Sequence, residues 1–170
     1  MKTITTERLV LRPHTMDDVH ASYEMNLDPS VSRYTHDGGV VSLEEIERRI
    51  REDVLGDYSK HGYGRFAVTL KDTGEFIGFC SIKYLEDHKL NDLGYRLKHD
   101  YWGNGYATEA SKASLEYGFN TLDLTEIFAF VLPKNERSIR VLDKLGFKKC
   151  GKVFEDGAWA EKYIIEHSDT

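Results

Sequence analysis

The sequence predicts an α+β fold: a mixed, mostly antiparallel sheet of about seven strands with helices on both faces. Two observations favour it. Short segments alternate apolar and polar residues with the period of half-buried strands, and small residues recur at helical spacing after Ala107. A glycine turn at Gly103–Gly105 joins one such strand to that helix. The 170 residues suffice for one sizeable core, and no linker or repeat divides them, so we predict a single domain over residues 1–170.

The first half of the chain contains one strand, two capped helices and a hairpin. Thr15 with Asp18 and Ser42 with Glu45 have the spacing of capping boxes, which predicts a helix start at each. Asp28-Pro29 is expected to break the first helix. The predicted order is strand Thr6–Arg12, helix from Thr15 to about Met25, loop Ser30–Val41, helix from Ser42 to about Ser59, then strands Phe66–Leu70 and Phe76–Tyr84 around the turn Lys71–Gly74.

The second half carries the most distinctive segment. The alternation over Asp92–Lys98 predicts a strand, and the small face of the following helix suits close packing against a sheet. Gly146 stands where a left-handed helix cap is wanted. After the central helix we predict strand Glu126–Leu132, helix Asn135–Leu145, and two tail strands, Lys148–Phe154 and Trp159–Ile165, joined at Asp156-Gly157.

Composition limits the classes of function. A net charge of −6 and a pI near 5.6 argue against a general nucleic-acid binder and suit a cationic amine substrate somewhat better. The histidines form no ligand pattern, so we expect no metal site. Cys80 and Cys150 share no redox or metal spacing and are predicted to be small core residues. With no signal peptide and no long apolar run, we expect a soluble cytoplasmic protein that does not enter membranes.

The turn Gly103-Asn104-Gly105 predicts an anion site, because its glycines leave backbone N–H groups uncovered at a helix N-terminus. A dinucleotide-binding loop would need a third glycine, where Thr108 stands, and a P-loop would need Gly-Lys-Ser/Thr. A dinucleotide oxidoreductase therefore remains a weak alternative. A tight turn without a ligand is the structural alternative.

Three motifs in order resemble the GNAT acetyltransferase superfamily, in the branch of the ribosomal-protein N-terminal (RimJ/RimL-like) acetyltransferases. They are Thr6–Pro13 in the opening strand, Tyr101–Ala110 around the glycine turn, and Asn135–Ser138 followed by Leu145–Phe147. One position departs from the superfamily pattern: Trp102 stands where Gln or Arg is usual. The loop is then expected to rely more on its backbone N–H groups.

The resemblance implies an enzyme, an N-acetyltransferase that moves an acetyl group from acetyl-CoA directly to a primary amine. The acceptor is either a protein N-terminal amine or a small-molecule amine, and other acyl-CoAs stay open. A catalytically silent CoA-binding regulatory module is the alternative. The implied cofactor-binding residues are Tyr95, Arg96, Leu97, Trp102, Gly103, Asn104, Gly105, Tyr106, Ala107, Thr108, Asn135, Ser138 and Arg140.

The same resemblance suggests catalytic roles. Asp92 is the first choice for the base, although a solvated strand end explains it equally well, and Glu155, Glu161 or water stay open. Ser138 is expected near the sulfur, as acid or thiolate stabiliser, with no tyrosine close to it.

The remaining assignments concern the neighbours of that site. Asn135 is also a good N-cap, and Glu109 is expected to be structural. Tyr34, His36 and Trp159 are the predicted walls of the acceptor site. The edge strand of the tail hairpin could pair two copies, so a homodimer is a further expectation.

Overall fold

A single eight-stranded sheet organises the molecule, with strand order β1-β2-β3-β4-β5-β6-β8-β7. The structure, a computed structural model, describes residues 1–33, 41–155 and 157–168. The strands are β1 Ile4–Thr5, β2 Leu9–Pro13, β3 Arg65–Leu70, β4 Phe76–Leu85, β5 Leu90–Leu97, β6 Glu126–Val131, β7 Lys148–Glu155 and β8 Ala158–Glu166. The helices are α1 Val19–Leu27, α2 Pro29–Ser32, α3 Leu43–Arg48, α4 Leu55–His61, α5 Tyr106–Asn120 and α6 Glu136–Leu145.

The sheet is antiparallel except where β5 and β6 meet. β4 and β5 pair continuously from Gly78–Leu97 to Leu85–Leu90, whereas the parallel contact of β5 with β6 is at Asp92 and Phe128. Beyond that contact the two strands lead to different helices, α5 and α6. This leaves an opening in the middle of the sheet, which is where the candidate site lies.

The small face of α5 packs on the sheet as its sequence predicts. Ala110, Ser111 and Ser114 are fully buried, and they share the main core with Phe66 and Cys80. Residues this small allow the helix to approach closely, because they interpose almost no side-chain volume. The opposite face of the sheet is covered around Phe79, against Met25 of α1 and Val31 of α2.

Helix starts agree closely with the capping signals. Thr15 and Asp18 form the predicted capping box, although the first turn, Met16–Asp18, is a 3₁₀-helix. The Ser42 hydroxyl accepts a hydrogen bond from the Glu45 N–H at 3.1 Å. Gly146 ends α6 with φ +95°, the left-handed cap that was predicted.

Several boundaries differ from the predictions. The predicted strand Thr6–Arg12 begins later, as β2 Leu9–Pro13, and the separate short β1 before it brings the count to eight strands rather than about seven. Helix α1 continues to Leu27, and the predicted loop Ser30–Val41 overlaps helix α2, because Asp28 caps the Ser30 N–H and Pro29 suits the first helical position. Residues 34–40 of that loop lie outside the described residues.

The predictions for the second helix and for Cys150 also need correction. The second predicted helix extends past Ser59 to His61 and includes a π-helical segment, Arg49–Val54. Cys80 is buried in the core as predicted, but Cys150 is exposed on β7, so the prediction of a second core cysteine was wrong.

In the described part of the chain, no helix is long and apolar enough to cross a membrane.

Candidate active site

A cavity of about 620 Å³ opens where β5 and β6 separate. One wall comes from the end of β5 and the start of α5, and the other from the end of β6 and helix α6. A volume of this size is in the range of ligand sites in proteins. The opening thus joins a helix N-terminus to the middle of the sheet.

The glycine turn gives α5 an uncapped N-terminus. Gly103 and Gly105 have φ values of +77° and +81°, which non-glycine residues rarely adopt, and Gly105 at the N-cap has no side chain to cap the helix. The first N–H groups of the 15-residue helix α5 have no intrahelical acceptor, and Tyr106, Ala107 and Thr108 line the cavity. This geometry fits a phosphate group, which would satisfy the free N–H groups and the helix dipole together.

Arg8, in the bend between β1 and β2, holds the glycine turn in place. Its Nε donates to Glu109 Oε1 at 2.7 Å, its Nη1 donates to the Asn104 carbonyl at 2.8 Å, and its guanidinium lies 4.2 Å from the centre of the Tyr106 ring. Burial raises the pKa of Glu109, but hydrogen bonds from Thr6 and Arg8 outweigh it and hold that pKa below its ordinary value. Glu109 is therefore structural, as predicted, since it anchors the turn to the sheet.

Trp102 is held by the strand before the turn. Its indole N–H donates to the Leu97 carbonyl at 2.9 Å, and the Arg137 guanidinium lies 5.1 Å from its ring. The side chain at the position that departs from the superfamily pattern thus fixes the turn to the end of β5. This leaves the anion site to the backbone N–H groups.

A tyrosine and a serine meet inside the cavity. The Tyr95 hydroxyl and Ser138 Oγ are 2.9 Å apart, and Ser138 N donates to Asn135 Oδ1 at 3.3 Å. The expectation that no tyrosine lies near Ser138 was wrong, because strand β5 brings Tyr95 to the first turn of α6. Burial raises the pKa of Tyr95, although its bond to Ser138 lowers it, so the phenol stays protonated at neutral pH.

Asp92 lines the cavity from β5, opposite Lys83 of β4 in the strand register. Glu161, the other described carboxylate considered for the base, forms an ion pair with Lys149 at 3.0 Å in the tail hairpin and does not line the cavity. The side chain of Glu155 lies outside the described residues. Asp92 is therefore the described candidate whose position suits a base.

Comparison with known proteins fits this geometry. The family model described as "Acetyltransferase (GNAT) domain" matches residues 8–148. This chain belongs to the GNAT acetyltransferase family. A relative from Bacillus licheniformis, the uncharacterized N-acetyltransferase p20, is 33% identical over 89% of this chain and 85% of its own length. The spermidine N(1)-acetyltransferase of Escherichia coli is 26% identical over 86% of this chain and 76% of its own.

Solved structures agree with the family assignment. An acetyltransferase from Agrobacterium tumefaciens superposes with a TM-score of 0.85 at 28% identity, covering 98% of this chain and 95% of that one. RimL, a ribosomal L7/L12 α-N-protein acetyltransferase in complex with coenzyme A, shares the fold with a TM-score of 0.82 at 18% identity, over 97% and 98% of the two chains. The predicted family, fold and enzyme class are confirmed, and the protein is a GNAT N-acetyltransferase.

Most of the residues predicted for this GNAT site lie around the cavity. Of the predicted residues, those that line it are Asp92, Tyr95, Arg96, Leu97, Trp102, Gly103, Gly105, Tyr106, Ala107, Thr108, Asn135, Ser138 and Arg140. Asn104 does not, since its carbonyl faces Arg8. Trp159 is 62% exposed, contacts Phe154 and does not line the cavity either. Tyr34 and His36 lie outside the described residues.

Other lining residues of the GNAT site were missed from the sequence. Arg65, Phe79 and Lys83 face the cavity from β3 and β4. The Arg65 guanidinium lies 3.7 Å from the centre of the Phe79 ring, and that of Arg96 lies 5.6 Å from it. No local pattern marks these positions, because their convergence depends on the pairing of three strands.

Proposed function

We propose that this enzyme transfers an acetyl group from acetyl-CoA directly to a primary amine. The observation that carries the proposal is one continuous cavity that joins the uncapped N-terminus of α5 to Tyr95, Ser138 and Asp92. The CoA complex of RimL, which shares the fold, supports the choice of cofactor. When bound, acetyl-CoA supplies the thioester whose acetyl group is transferred.

The binding residues have distinct tasks. The free N–H groups of Tyr106, Ala107 and Thr108 would hold the pyrophosphate, as the charge and geometry of a helix N-terminus favour. Arg140 and Lys144, one helical turn apart on α6, also line the cavity and would meet further phosphate charge. Asn135 both caps α6 and lies beside the path of the cofactor arm.

Two proton transfers are assigned to the chain. Asp92, directly or through a water molecule, accepts a proton from the protonated acceptor amine and frees the nitrogen lone pair for attack. The Ser138 hydroxyl supplies a proton to the sulfur as the carbon–sulfur bond breaks, and Tyr95 replaces that proton through the 2.9 Å hydrogen bond. The second proton lost by the acetylated nitrogen then restores the phenol through solvent. The phenol of Tyr95 remains available for this role because it stays protonated at neutral pH.

An acetyl-transfer assay tests the proposal. The protein is incubated with acetyl-CoA and a panel of amines, while release of the free thiol and the gain of one acetyl group by the amine are followed. With an accepted amine, Asp92→Asn should slow transfer by about a hundredfold, in line with the loss of a general base. Asp87→Asn, an exposed acid on the loop before β5, should leave the rate unchanged.

Two outcomes would contradict this account. If Asp92→Asn turns over at the wild-type rate, Asp92 is not the base. If the folded protein binds acetyl-CoA but acetylates no amine of a broad panel, it is a CoA-binding module rather than a transferase.

A further inference from the structure

One face of the sheet carries a positively charged end of the cavity. Register places Arg65, Ser81 and Gly94 side by side across β3, β4 and β5, and Phe79 beside Arg96. Neighbours in register point to the same face, as do residues two apart along a strand, so Asp92 lies on that face too. This face is the one covered by α1 and α2 rather than by α5.

The charges that line the whole cavity are nearly all positive. Among the described lining residues the cations are Arg65, Lys83, Arg96, Arg137, Arg140 and Lys144, and the one carboxylate is Asp92. On the face described above, Lys83 is already near Asp57 at 4.0 Å, and Arg96 donates a hydrogen bond to the Asn26 side chain.

Among the described residues, no carboxylate forms an ion pair with Arg65. Its guanidinium stacks on Phe79. Among the described carboxylates, Asp57 raises the pKa of Arg65 through its charge alone, without a hydrogen bond. Burial and the charge of nearby Arg96 together lower the pKa of Arg65 to about 10. A half-buried cation that no described carboxylate neutralises is costly, so a bound anion would be stabilising here.

The phosphates of acetyl-CoA are not the natural partners of Arg65. The backbone of Arg65 lies in the row of Ser81 and Gly94, three residues or roughly 10 Å from Leu97 along β5, and its guanidinium lies over Phe79, on the sheet face opposite α5. The end of the cavity at the glycine turn has its own donors, the N-terminus of α5 and the cations of α6. Arg65 instead lies on the same face of the sheet as Asp92.

We infer that the acceptor is a primary amine that also carries an oxyanion, a carboxylate or a phosphate, and that Arg65 binds this anionic group while Asp92 faces the amine. The inference rests on the proposed acetyl transfer and names the substrate class of the same site. A guanidinium stacked on a ring keeps its edge N–H groups free for two parallel hydrogen bonds to such a group. In the strand register, two inter-strand spacings and two residues separate Arg65 from Asp92, roughly 12 Å between backbone positions, and the two side chains and the acceptor share this span.

The inference sets this enzyme apart from its relative that acts on spermidine. A polyamine brings several positive charges into the cavity and would be repelled by Arg65, Lys83 and Arg96. An α-amino acid or an aminoalkyl phosphate brings one anion beside one amine. The positive charge of the cavity lining, rather than the negative net charge of the chain, determines this preference.

Matched acceptor pairs test the inference. Each α-amino acid is compared with its amide, O-phosphoethanolamine with ethanolamine, and spermidine is included as a polycation. In at least one pair, kcat/KM for the anionic member should be about ten- to a hundredfold higher than for the neutral member. Hydrogen bonds to a charged group contribute an effect of this size. The amino-acid and phosphate pairs show which of the two anions is preferred.

Variants at Arg65 provide the second arm. Arg65→Met keeps an aliphatic chain against Phe79 and should abolish the preference for the anionic member, while the KM for acetyl-CoA stays unchanged. Arg65→Lys should keep part of it, because the charge remains but the planar fork is lost. Arg51→Met, an exposed arginine paired with Glu47, is the matched control and should change neither value.

Failure of the inference is distinguishable from failure of the transferase proposal. Equal or better turnover of amides and spermidine, or a preference that survives Arg65→Met, would overturn the inference while leaving the transferase intact. If no amine is acetylated, calorimetric binding of the same pairs in the presence of CoA replaces the assay. Arg65-dependent binding of an anionic amine then still supports the inference, and its absence overturns it.

Discussion

His14 is a buried residue that contacts the backbone of Arg65, one of the residues that line the cavity. It is 3% exposed, its ring nitrogen Nδ1 lies 3.3 Å from the Arg65 carbonyl, and its backbone N–H donates to the Tyr58 hydroxyl at 2.9 Å. Burial lowers the pKa of His14 to about 3, and the charge of Arg65 adds to the effect. The ring is therefore neutral in the folded protein at pH values where the unfolded chain protonates it.

This pKa shift predicts acid-sensitive stability. The unfolded chain binds a proton near pH 6.5 and the folded chain only near pH 3, so stability is full above 6.5 and falls as the pH drops between these values. The loss from this group approaches about 1.4 kcal/mol per pH unit. Urea unfolding at several pH values should show a weaker pH dependence for His14→Gln, and an unchanged one would contradict the assignment.

The contact between Tyr95 and Ser138 predicts coupled kinetic effects. Tyr95→Phe and Ser138→Ala should each lower kcat by about a hundredfold with little change in the KM for acetyl-CoA, because each interrupts the same proton path. The double variant should be little worse than the poorer single one. Tyr117→Phe, a partly buried tyrosine that packs on Phe66, is the control. Multiplicative losses would mean that the two hydroxyls act independently.

Single residues could be predicted only where their role is local. The glycines of the turn and the capping residues depend on neighbours in sequence, so their positions were expected. The approach of Tyr95 to Ser138 spans 43 positions, and the stacking of Arg65 on Phe79 depends on the pairing of two strands. Such contacts follow from register, which alternation alone does not determine.

At the scale of elements, β4 and β5 leave no room for a side chain at Gly78. A Cβ atom there would lie 2.1 Å from the Arg96 carbonyl oxygen and 2.8 Å from Leu97 Cα, and the glycine has φ +153°. This close approach positions the end of β5, which carries Arg96 and Leu97 into the cavity. The absence of a side chain at residue 78 thus helps to shape the site.

Gly78→Ala is expected to push β5 away from β4. The overpacked strand pair should lose about 1–3 kcal/mol of stability, measured by urea unfolding, and bind acetyl-CoA more weakly. Gly56→Ala in α4 is the control: nothing lies within 4 Å of its Cβ position, and it should gain roughly 0.5–1 kcal/mol. A Gly78→Ala protein as stable as the wild type would show that the strands adjust freely.

Elements were predictable where one periodicity ran undisturbed. Leu9 and Leu11 are fully buried at alternate positions of β2, and the small residues of α5 face the sheet. The predicted ends of helices and strands were wrong where the backbone geometry changed without a change in residue type. The π-helical segment Arg49–Val54 continues the apolar pattern of its helix, so no sequence signal separates it.

At the scale of the whole molecule, net charge and site charge have opposite signs. The chain carries a formal net charge of −6, which suggested a cationic substrate, yet the described lining of the cavity has six cations and one carboxylate. Composition reports the sum over a mostly solvated surface. The fold decides which charges converge, and here it gathers arginines from β3, β5 and α6.

The measurement that tests the central claim most directly is a calorimetric titration of the protein with acetyl-CoA, with NADPH as the control ligand. The account predicts saturable one-to-one binding of acetyl-CoA and none of NADPH. In Gly105→Val, where a branched side chain would meet φ +81° and Arg8 Nη2 at 3.4 Å, the affinity should fall at least about tenfold. No binding by folded wild-type protein, or undiminished binding by the folded variant, would contradict a cofactor site at the N-terminus of α5.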